Sequence, residues 1–515
     1  MTAPVSLVAQ RVLRSPRLLD LLAIVLVVSY ALIMLRSLDR WPPLANDEGR
    51  EANVFWVMAR VDPGANQMNE YRGFENWGTG GIQGMTTALI FRLAGIGIFQ
   101  ARLTSMIWAA ALLLVVYWAG AMLWRRAVAL AAVALLAVSD PFLVSSHTLR
   151  PDIQTAMLTM LAWGLAEYGL RTARSWCHVA SGVVLGVAVD VHLNSLAFVP
   201  FSALVYVLKF GPVDVFRRRE SWLFGLGLAL GGAYYLVARV LPNPGSFLGG
   251  LQYWVGVDKH PPWDKPDLGP LGPIQLELWR YWDYFQEEPL ELGMVLLGLA
   301  FAIWRASRSG RAERLILAGL AAAQLFFILF VSSKSKYYMI FGYPYYALLV
   351  AAAGWWLVGR IRRQELSYAA LAALTLLLVW GPLKFEERAW DKYIRAARYR
   401  AGQDYYQLTS QLRTLAGTDA RILAPPLYWF GFNDHHFTDI FVFERVKRQY
   451  GMSAARFLDE IRPDLVITDG KIATERANQL ELHRALDERA SYELVTRHKN
   501  FGDVAVYRLR RRSSI

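Results

Sequence analysis

Long apolar runs separated by short polar segments dominate the chain from its N-terminus to about Leu383. Most runs hold roughly 16–22 residues, which is the length that an α-helix needs to cross a bilayer. The pattern predicts a polytopic α-helical membrane protein with about eleven transmembrane helices. The predicted spans are Leu18–Leu35, Leu103–Trp124, Ala127–Val144, Ile153–Leu170, Val179–Val191, Leu193–Leu208, Trp222–Leu241, Leu290–Trp304, Leu315–Val331, Tyr337–Val358 and Tyr368–Leu383.

Basic residues mark every second connection between these spans. Cytoplasmic loops of membrane proteins are enriched in Lys and Arg, so the segments that carry the clusters are predicted to be cytoplasmic. The clusters are Arg11, Arg14 and Arg17; Arg125–Arg126; Arg171 with Arg174; Lys209 with Arg217–Arg219; Arg305 with Arg308, Arg311 and Arg314; and Arg360 with Arg362–Arg363.

The apolar stretch Gly81–Phe99 would break this alternation if it crossed the membrane. Arg92 divides it into two pieces that are too short to cross. A juxtamembrane or re-entrant helix is therefore predicted, a form that is tolerated where protein shields it. The short spans on either side of His192 are predicted as two crossings, because both of their flanks are basic. The outer side then receives loops 39–102, 145–152, 242–289 and 332–336.

Residues 384–515 are predicted to form a small extracytoplasmic α/β domain that follows the transmembrane domain, residues 1–383. Helix-like stretches such as Ser453–Pro463 alternate with strand-like ones, Ala420–Pro426, Pro463–Gly470 and Asp503–Arg510. Such alternation is typical of an α/β layer. The basic end of this region does not require a cytoplasmic location, because long domains are translocated largely regardless of charge.

The composition is typical of a membrane protein, and the positions of the basic residues account for the positive net charge. Hydrophobic residues make up 55% of the 515 residues, which exceeds the usual share in soluble domains. A net charge of +13 would suggest a nucleic-acid partner, but the basic residues lie between apolar runs, where membrane topology accounts for them. Membrane lipids are therefore expected as partners, and nucleic acid is not. The single cysteine, Cys177, has no partner for an intrachain disulfide.

A pair of acids, Asp47 and Glu48, follows the first span by about ten residues, which places both carboxylates near the headgroups if that span crosses the bilayer. The surrounding sequence, "WPPLAN" before and "ANVFW" after, is apolar. A carboxylate held at this depth can act as a general base on a hydroxyl group. The alternative is a solvated loop in which the acids only face Arg50.

The predicted outer loop Ser145–Asp152 brings an imidazole, a guanidinium and a carboxylate together within the segment "HTLRPD". The guanidinium of Arg150 suits a lipid-linked phosphate, because it forms paired hydrogen bonds with phosphate oxygens. Asp152 directly precedes an apolar run and could simply cap that helix. The two roles are compatible, since a capping carboxylate can still orient a partner. His147 is the imidazole of this group.

Lys334, Lys336 and Tyr337 lie where one predicted span ends and the next begins, in "SSKSKYYMIF". Two lysines at headgroup depth could bind a phosphate as point charges. The alternative is ordinary snorkelling of lysines together with an aromatic belt, which is common at helix ends.

A divalent cation, magnesium or manganese, is compatible with the carboxylates, although no ligand spacing demands one. Paired histidines flanked by acids also occur at Asn433–Asp439. Adjacent histidines project in different directions and no further ligand is evident, so a zinc site there is not favoured.

Several of these motifs together resemble the GT-C glycosyltransferases, and within them the protein mannosyltransferase and aminoarabinose transferase type. The resemblance covers about Leu18–Leu208 and includes "DEGREANVFWVMAR", "YRGFENW" and "ARLTSMIWAAALLLVVYWAGAMLW". Asp47, Glu48 and Arg50 match the Asp-Glu opening of the first outer loop in that superfamily, which an Arg often follows.

Two later segments extend the resemblance. Arg150 and Asp152 match an Arg-x-Asp motif that opens the span after the second outer loop, and Lys336–Tyr338 resembles a Lys/Arg-Tyr segment near a later helix. The chain departs from the family at "FENWGTGGIQ", where relatives carry a Lys-Pro-Pro-Leu-like turn. Glu75 matches only the acid of that motif, which leaves the identity of the donor sugar open.

The resemblance implies transfer of a sugar from a polyprenyl-phosphate donor to a lipid, glycan or protein acceptor. Asp47 would be the general base, usually with inversion at the anomeric carbon, on the periplasmic or extracellular face of a cell membrane such as the bacterial inner membrane. The implied catalytic residues are Asp47, Glu48 and Asp152, and the implied substrate-binding residues are Arg50, Glu75, His147, Arg150, Lys334, Lys336 and Tyr337.

Two other functions fit parts of the pattern. A transporter or flippase for a lipid-linked or charged solute would place ionisable groups near the membrane midplane and often show repeat symmetry. Here the polar candidates lie at predicted outer helix ends, and no second half repeats the first. A non-catalytic assembly or sensor subunit that reports through the C-terminal domain is the third possibility.

Overall fold

The computed structural model describes residues 16–60, 81–241, 244–245, 271–308, 310–331, 335–385, 401–469, 477–498 and 502–509. Up to Phe385 these residues are almost entirely helical. The helices are α1 (Pro16–Leu35), α2 (Asn46–Arg60), α3 (Gly81–Ala94), α4 (Ile98–Leu123), α5 (Arg126–Val138), α6 (Asp140–Ser146), α7 (Asp152–Thr172), α8 (Ser175–Val191), α9 (Phe198–Phe210), α10 (Arg219–Tyr235), α11 (Gly272–Phe285), α12 (Pro289–Ser307), α13 (Arg311–Phe330), α14 (Tyr343–Val358) and α15 (Gln364–Phe385).

Five helical segments among the described residues are long and apolar enough to cross a membrane: Arg17–Leu35, Ile98–Leu123, Leu193–Phe210, Pro289–Ser307 and Arg311–Phe330. A sixth is added if the bent pair α5 and α6 counts as one span, and α8, α14 and part of α15 are shorter apolar helices. The chain is therefore a multi-pass helical membrane protein. The expected total of about eleven spans stays a prediction.

The predicted span Ala127–Val144 is not one straight helix. α5 ends at Val138, and α6 departs from its direction by 68°. Ser139 between them is extended, with φ −71° and ψ 140°. Pro141 lies in the first turn of α6, a position that suits proline because no intrahelical N–H bond is required there. The bend therefore begins a new helix, which ends just before His147.

The predicted span Tyr337–Val358 also begins later than the hydropathy pattern indicates. Residues Lys336–Phe341 form a 3₁₀ turn instead, and α14 begins at Tyr343 with Pro344 in its first turn. The Ser335 hydroxyl accepts a hydrogen bond of 3.3 Å from the Tyr337 N–H at the start of that turn. Lys336 and Tyr337 consequently lie in a connection between two helices.

A helix, α3, occurs where a juxtamembrane or re-entrant helix was predicted before the second span. It ends at Ala94, and Gly95, with φ +80°, separates it from α4. A positive φ of this size is readily adopted only by glycine. The Arg92 guanidinium donates a hydrogen bond to the Ala59 carbonyl oxygen, so α3 is fastened to the end of α2.

Helices α8 and α10 pack with their backbones in direct contact through glycines. A methyl group on Gly182 would stand 2.1 Å from the Phe224 carbonyl oxygen, and one on Gly227 would stand 2.1 Å from the Val179 carbonyl oxygen. Small residues allow such close approach between helices in a membrane, where van der Waals packing drives association. Gly186 and Gly231 continue the same contact.

The residues after Ala401 fold into a mixed five-stranded sheet with helices. Its elements are α16 (Ala401–Ala416), β1 (Arg421–Ala424), β2 (His436–Asp439), α17 (Val442–Tyr450), α18 (Ala454–Ile461), β3 (Leu465–Thr468), α19 (Ala477–Arg489), β4 (Ala490–His498) and β5 (Gly502–Leu509). The strand order is β2-β1-β3-β5-β4, with β1, β2 and β3 parallel and β5 antiparallel to β3 and β4. β1 and β3 lie within segments that were predicted to be strands, and β5 begins one residue before the predicted segment Asp503–Arg510.

The carboxyl ends of the parallel strands rest against α2. A methyl group on Gly49 would stand only 1.9 Å from the Pro426 carbonyl oxygen, in the turn that follows β1. Ala52 and Phe55 of α2 share a buried hydrophobic cluster with Trp429 and other residues of the sheet domain. The two parts of the chain therefore meet through one continuous core.

The side of the membrane that each connection occupies can be tested with engineered cysteines. Lys336 precedes α14 and Arg362 follows it, and both are exposed. We expect a membrane-impermeant maleimide to label Lys336→Cys in intact cells and to label Arg362→Cys only after permeabilisation. The buried native Cys177 should stay unlabelled in both. Labelling of Arg362→Cys alone in intact cells would invert the predicted topology.

Candidate functional site

A buried ion pair fixes the start of α2. The Glu48 carboxylate accepts hydrogen bonds from Arg102 Nε at 2.8 Å and Nη2 at 2.7 Å, and each side chain is only 1% exposed. The same carboxylate accepts the backbone N–H groups of Ala45 at 3.1 Å and Leu149 at 3.0 Å. The contact to Ala45 has the form of a capping interaction, in which a carboxylate in the first turn satisfies an N–H before the helix.

The Arg102 guanidinium extends this arrangement to a further segment. Its Nη1 donates to the Leu38 carbonyl oxygen at 3.1 Å. One turn along α4, the Ser105 hydroxyl donates to the Thr148 carbonyl oxygen at 2.6 Å. The connections before α2 and before α7 are thereby held against α4. Glu48, which was predicted to be catalytic, has its two carboxylate oxygens engaged in these contacts.

Arg150 joins the two other predicted catalytic carboxylates. Its Nε donates to Asp152 Oδ2 at 2.7 Å, and its Nη1 is paired with Asp47 Oδ2. The guanidinium lies over the Tyr337 ring, 4.5 Å from its centroid, a distance at which cation–π attraction operates. The Asp47 side chain is 51% exposed, while that of Asp152 is 1% exposed. Four residues predicted from the sequence thus form one group with an accessible carboxylate at its edge.

Glu51 is a member of this group that the sequence analysis missed. It follows Asp47 by four residues on α2, so the two side chains share a helical face. Its side chain is buried, and Oε2 has no hydrogen-bond partner among the described residues. Burial, followed by repulsion from Asp47, raises the pKa of Glu51 to about 8, with attraction to Arg150 opposing the shift. The spacing from Asp47 was the signal in the sequence that could have identified it.

Arg50 connects the group to the sheet domain. Its Nη2 and Nε donate to Asp439 Oδ2 at 2.9 Å and 3.3 Å. Asp439 ends β2, and its Oδ1 accepts the Phe441 N–H at 2.8 Å. The predicted substrate-binding residue Arg50 is therefore engaged by a carboxylate that lies almost 400 residues away in the chain, a partner that its local sequence did not indicate.

His147 lies inside the protein and apart from the Asp47–Arg150 pair. Its Nδ1 is 2.9 Å from both the Ser146 hydroxyl and the Leu143 carbonyl oxygen, and its Nε2 is 3.5 Å from the Ser37 hydroxyl. Burial lowers the pKa of His147 to about 4, so its ring is neutral near pH 7. These contacts indicate a structural role for His147 in the protein interior.

The remaining predicted residues are distributed as follows. Lys336 is exposed beside Tyr337, whereas Glu75 and Lys334 lie outside the described residues. Two aromatic residues that were not among the predicted site residues, His192 and Tyr338, lie within electrostatic reach of Asp152 and Arg150, with their ring centroids 5.7 Å apart.

Metal binding gains no support from the described residues, in which no group of three or more His, Cys, Asp or Glu side chains is arranged to hold an ion. In the His-rich stretch of the sheet domain, His435 Nδ1 is 2.8 Å from Asp434 and its Nε2 is 2.9 Å from the Gly417 carbonyl oxygen. His435 is thereby used in structural hydrogen bonds, and the adjacent His436 begins strand β2.

Comparison with known proteins identifies structures that have a similar fold. The family described as dolichyl-phosphate-mannose-protein mannosyltransferase matches residues 84–236, which include Arg150 and Asp152 but not Asp47. No curated protein sequence matches the chain. The structure is similar to that of ArnT from Cupriavidus metallidurans bound to undecaprenyl phosphate, with a TM-score of 0.63, 17% identity, and coverage of 94% of this chain and 97% of that one.

An archaeal enzyme has the same kind of fold. The oligosaccharyltransferase of Archaeoglobus fulgidus, tethered to an acceptor peptide, gives a TM-score of 0.51 at 13% identity over 93% of this chain and 74% of that one. The oligosaccharyltransferase AglB of the same organism, in complex with an inhibitory peptide and a dolichol-phosphate, gives a TM-score of 0.50 at 14% identity. The resemblance to GT-C glycosyltransferases that the sequence motifs indicated is confirmed at the level of the fold.

Removal of the buried pair should destabilise the protein strongly. Glu48→Gln leaves the Arg102 charge buried without its counterion, which costs about 3–5 kcal/mol. We expect a large fall in the thermal unfolding midpoint of the purified protein. Asp20→Asn is the matched control, because it breaks an ion pair with Arg126 in which both side chains are more than 40% exposed, and such pairs contribute at most about 1 kcal/mol. Equal shifts in the two variants would contradict this assignment.

Glu51 should make stability depend on pH. Between its ordinary pKa of 4.5 and the native value of about 8, the folded protein holds a proton that the unfolded chain releases. Stability contributed by this group is therefore present at low pH and lost as pH rises through about 8. The unfolding midpoint of Glu51→Gln, relative to the wild type, should increase from pH 5 to pH 8. A difference that does not change with pH would show that Glu51 is ionised throughout.

Proposed function

We propose that this protein is an integral-membrane glycosyltransferase that moves a sugar from a polyprenyl-phosphate donor to a lipid, glycan or protein acceptor. The observation that carries the proposal is the half-exposed Asp47 carboxylate paired with the Arg150 guanidinium, within the GT-C fold. A base for the acceptor and a cation for the departing phosphate stand side by side. The reaction class is transfer of a glycosyl group.

The donor class is supported by the structural relatives. ArnT was solved with undecaprenyl phosphate and AglB with a dolichol-phosphate, and both lipids are polyprenyl phosphates. The family that matches residues 84–236 is described by its use of dolichyl-phosphate-mannose.

In the proposed mechanism, Asp47 removes the proton of an acceptor hydroxyl as its oxygen attacks the anomeric carbon of the donor. A bond forms between that oxygen and carbon, the bond from the carbon to the phosphate oxygen breaks, and the configuration inverts. The Asp47 carboxylate is paired with the Arg150 guanidinium. The ionised form is the one that can accept the proton.

The phosphate that leaves with the lipid gains negative charge in this step. Arg150 stands at hydrogen-bonding distance from the base and is held rigid by Asp152 and by the Tyr337 ring. A cation that is fixed before the reaction stabilises developing charge without reorganisation. Lys336, exposed on the same 3₁₀ turn as Tyr337, can add a second positive charge, as predicted also for Lys334.

Two further residues, Glu48 and Arg50, are proposed to position the site without contacting the substrate. Glu48 is proposed as a positioning residue, because its carboxylate holds the turn that carries Asp47 rather than facing the substrate. Arg50 is proposed to orient α2 against the sheet domain through Asp439. The catalytic face is proposed to be periplasmic or extracellular in a bacterial inner membrane, in accordance with the distribution of basic residues.

The variant Asp47→Asn tests the base. The amide cannot accept the hydroxyl proton, so we expect the rate of sugar transfer to fall by about 10²–10⁴-fold. The measurement is mass spectrometry of glycosylated product formed by purified protein from lipid-linked sugars extracted from the producing cells. Asp39→Asn is the control, since Asp39 lies in the same loop beside Arg40 and has no assigned role. Near-normal turnover by Asp47→Asn would exclude Asp47 as the base.

A further inference from the structure

Three buried polar atoms around Arg150 have no hydrogen-bond partner among the described residues. They are Glu51 Oε2, Asp152 Oδ1 and Asn194 Nδ2. The three side chains are at least nine-tenths buried. They come from three different elements, namely α2, the first turn of α7 and the 3₁₀ turn after α8.

These atoms lie close together in space, because the residues that carry them are linked by a series of contacts. The Glu51 carboxyl is within electrostatic reach of Asp152. Asp152 in turn interacts with Tyr338 and His192. The Asn194 side chain lies beside Tyr338, and the Asn194 backbone N–H donates to His192 Nδ1 at 3.0 Å. The group therefore continues inward from the Arg150 guanidinium.

Leaving such atoms without partners is costly. A buried polar group without a hydrogen bond destabilises a protein by about 1–3 kcal/mol, and buried polar groups in folded proteins almost always find a partner. Three of them in one neighbourhood, next to a base and a phosphate-binding cation, indicate a place where a polar ligand supplies the missing bonds.

The chemistry of the three atoms favours hydroxyl groups. Two carboxyl oxygens can accept hydrogen bonds, and the Asn194 amide nitrogen donates one. A hydroxyl can donate to the former and accept from the latter. A bound metal ion would use the carboxylates but would leave the amide nitrogen unused, and the described residues contain no suitable metal-ligand group.

We propose that Glu51, Asp152 and Asn194 form a subsite that hydrogen-bonds the hydroxyl groups of the donor sugar, on the inner side of Arg150. This inference rests on the proposed glycosyl transfer and deepens it, because it assigns the sugar to a place that is distinct from the phosphate contact. The subsite stabilises the sugar-bearing lipid and makes no contact with a lipid that carries phosphate alone.

The test compares two isosteric substitutions, Glu51→Met and Gln154→Met. Gln154 is also buried and both of its amide atoms lack a partner among the described residues, but it follows Asp152 by two residues and so points to another side of α7. Each substitution removes an unsatisfied polar group, so each should raise the unfolding midpoint of the ligand-free protein, by about 1–3 °C. This rise shows that both variants fold.

The two variants should then differ in ligand binding. The probes are undecaprenyl phosphate and the mixed polyprenyl-phosphate sugars extracted from the producing cells, at equal lipid phosphate. In the wild type and in Gln154→Met, the sugar-bearing lipids should raise the unfolding midpoint more than undecaprenyl phosphate does. In Glu51→Met the additional rise should be lost, which corresponds to about tenfold weaker binding of the sugar-bearing lipid, while the response to undecaprenyl phosphate is unchanged. Asn194→Leu, from a different element, should give the same loss.

The outcomes separate this inference from the proposed function. If the wild type transfers sugar but Glu51→Met and Asn194→Leu keep the additional rise, the subsite is wrong and the transferase stands. If the wild type gains nothing from sugar-bearing lipids over undecaprenyl phosphate, the subsite is also wrong. If neither transfer nor lipid-dependent protection is detected in the wild type, the proposed function fails with it.

Discussion

A carboxylate and a guanidinium buried against each other, Glu48 and Arg102, hold in place the start of the helix that carries Asp47. The pair holds the connections before α2 and before α7 against α4. Water cannot substitute for either partner there, because both side chains are almost completely inaccessible. Asp47 precedes Glu48 directly, so the position of the accessible carboxylate follows from the position of the buried one. This buried ion pair thus supports Asp47, the residue that we propose as the base.

The second constraint comes from the sheet domain. In open sheets with parallel strands, the carboxyl edge is where ligands usually bind. Here that edge is covered by α2, with Pro426 against Gly49 and Asp439 bonded to Arg50. Arg50 and Asp47 lie three residues apart on one helix, so the sheet domain and the membrane domain hold the same element from two sides. The site therefore depends on both parts of the chain being folded.

Much of this arrangement was accessible from the sequence, because hydropathy and local motifs report on neighbours along the chain. The apolar runs predicted the helices, and the alternation of basic loops grouped Asp47, Arg150, Asp152 and Tyr337 on one face. The bend at Ser139 and the 3₁₀ turn at Lys336–Phe341 were missed, since hydropathy does not report backbone direction. Partners distant in sequence were also missed. Asp439 bonds Arg50 across the two domains, and Asn194 reaches the site only through the packing of α8 against its neighbours.

The glycine-lined contact between α8 and α10 has a mechanical consequence for how a long lipid can approach. Helices α8 and α10 cannot slide or separate without breaking a row of backbone contacts. They are therefore expected to move as one rigid unit. This contact leaves no space between α8 and α10 for the polyprenyl tail of the proposed donor.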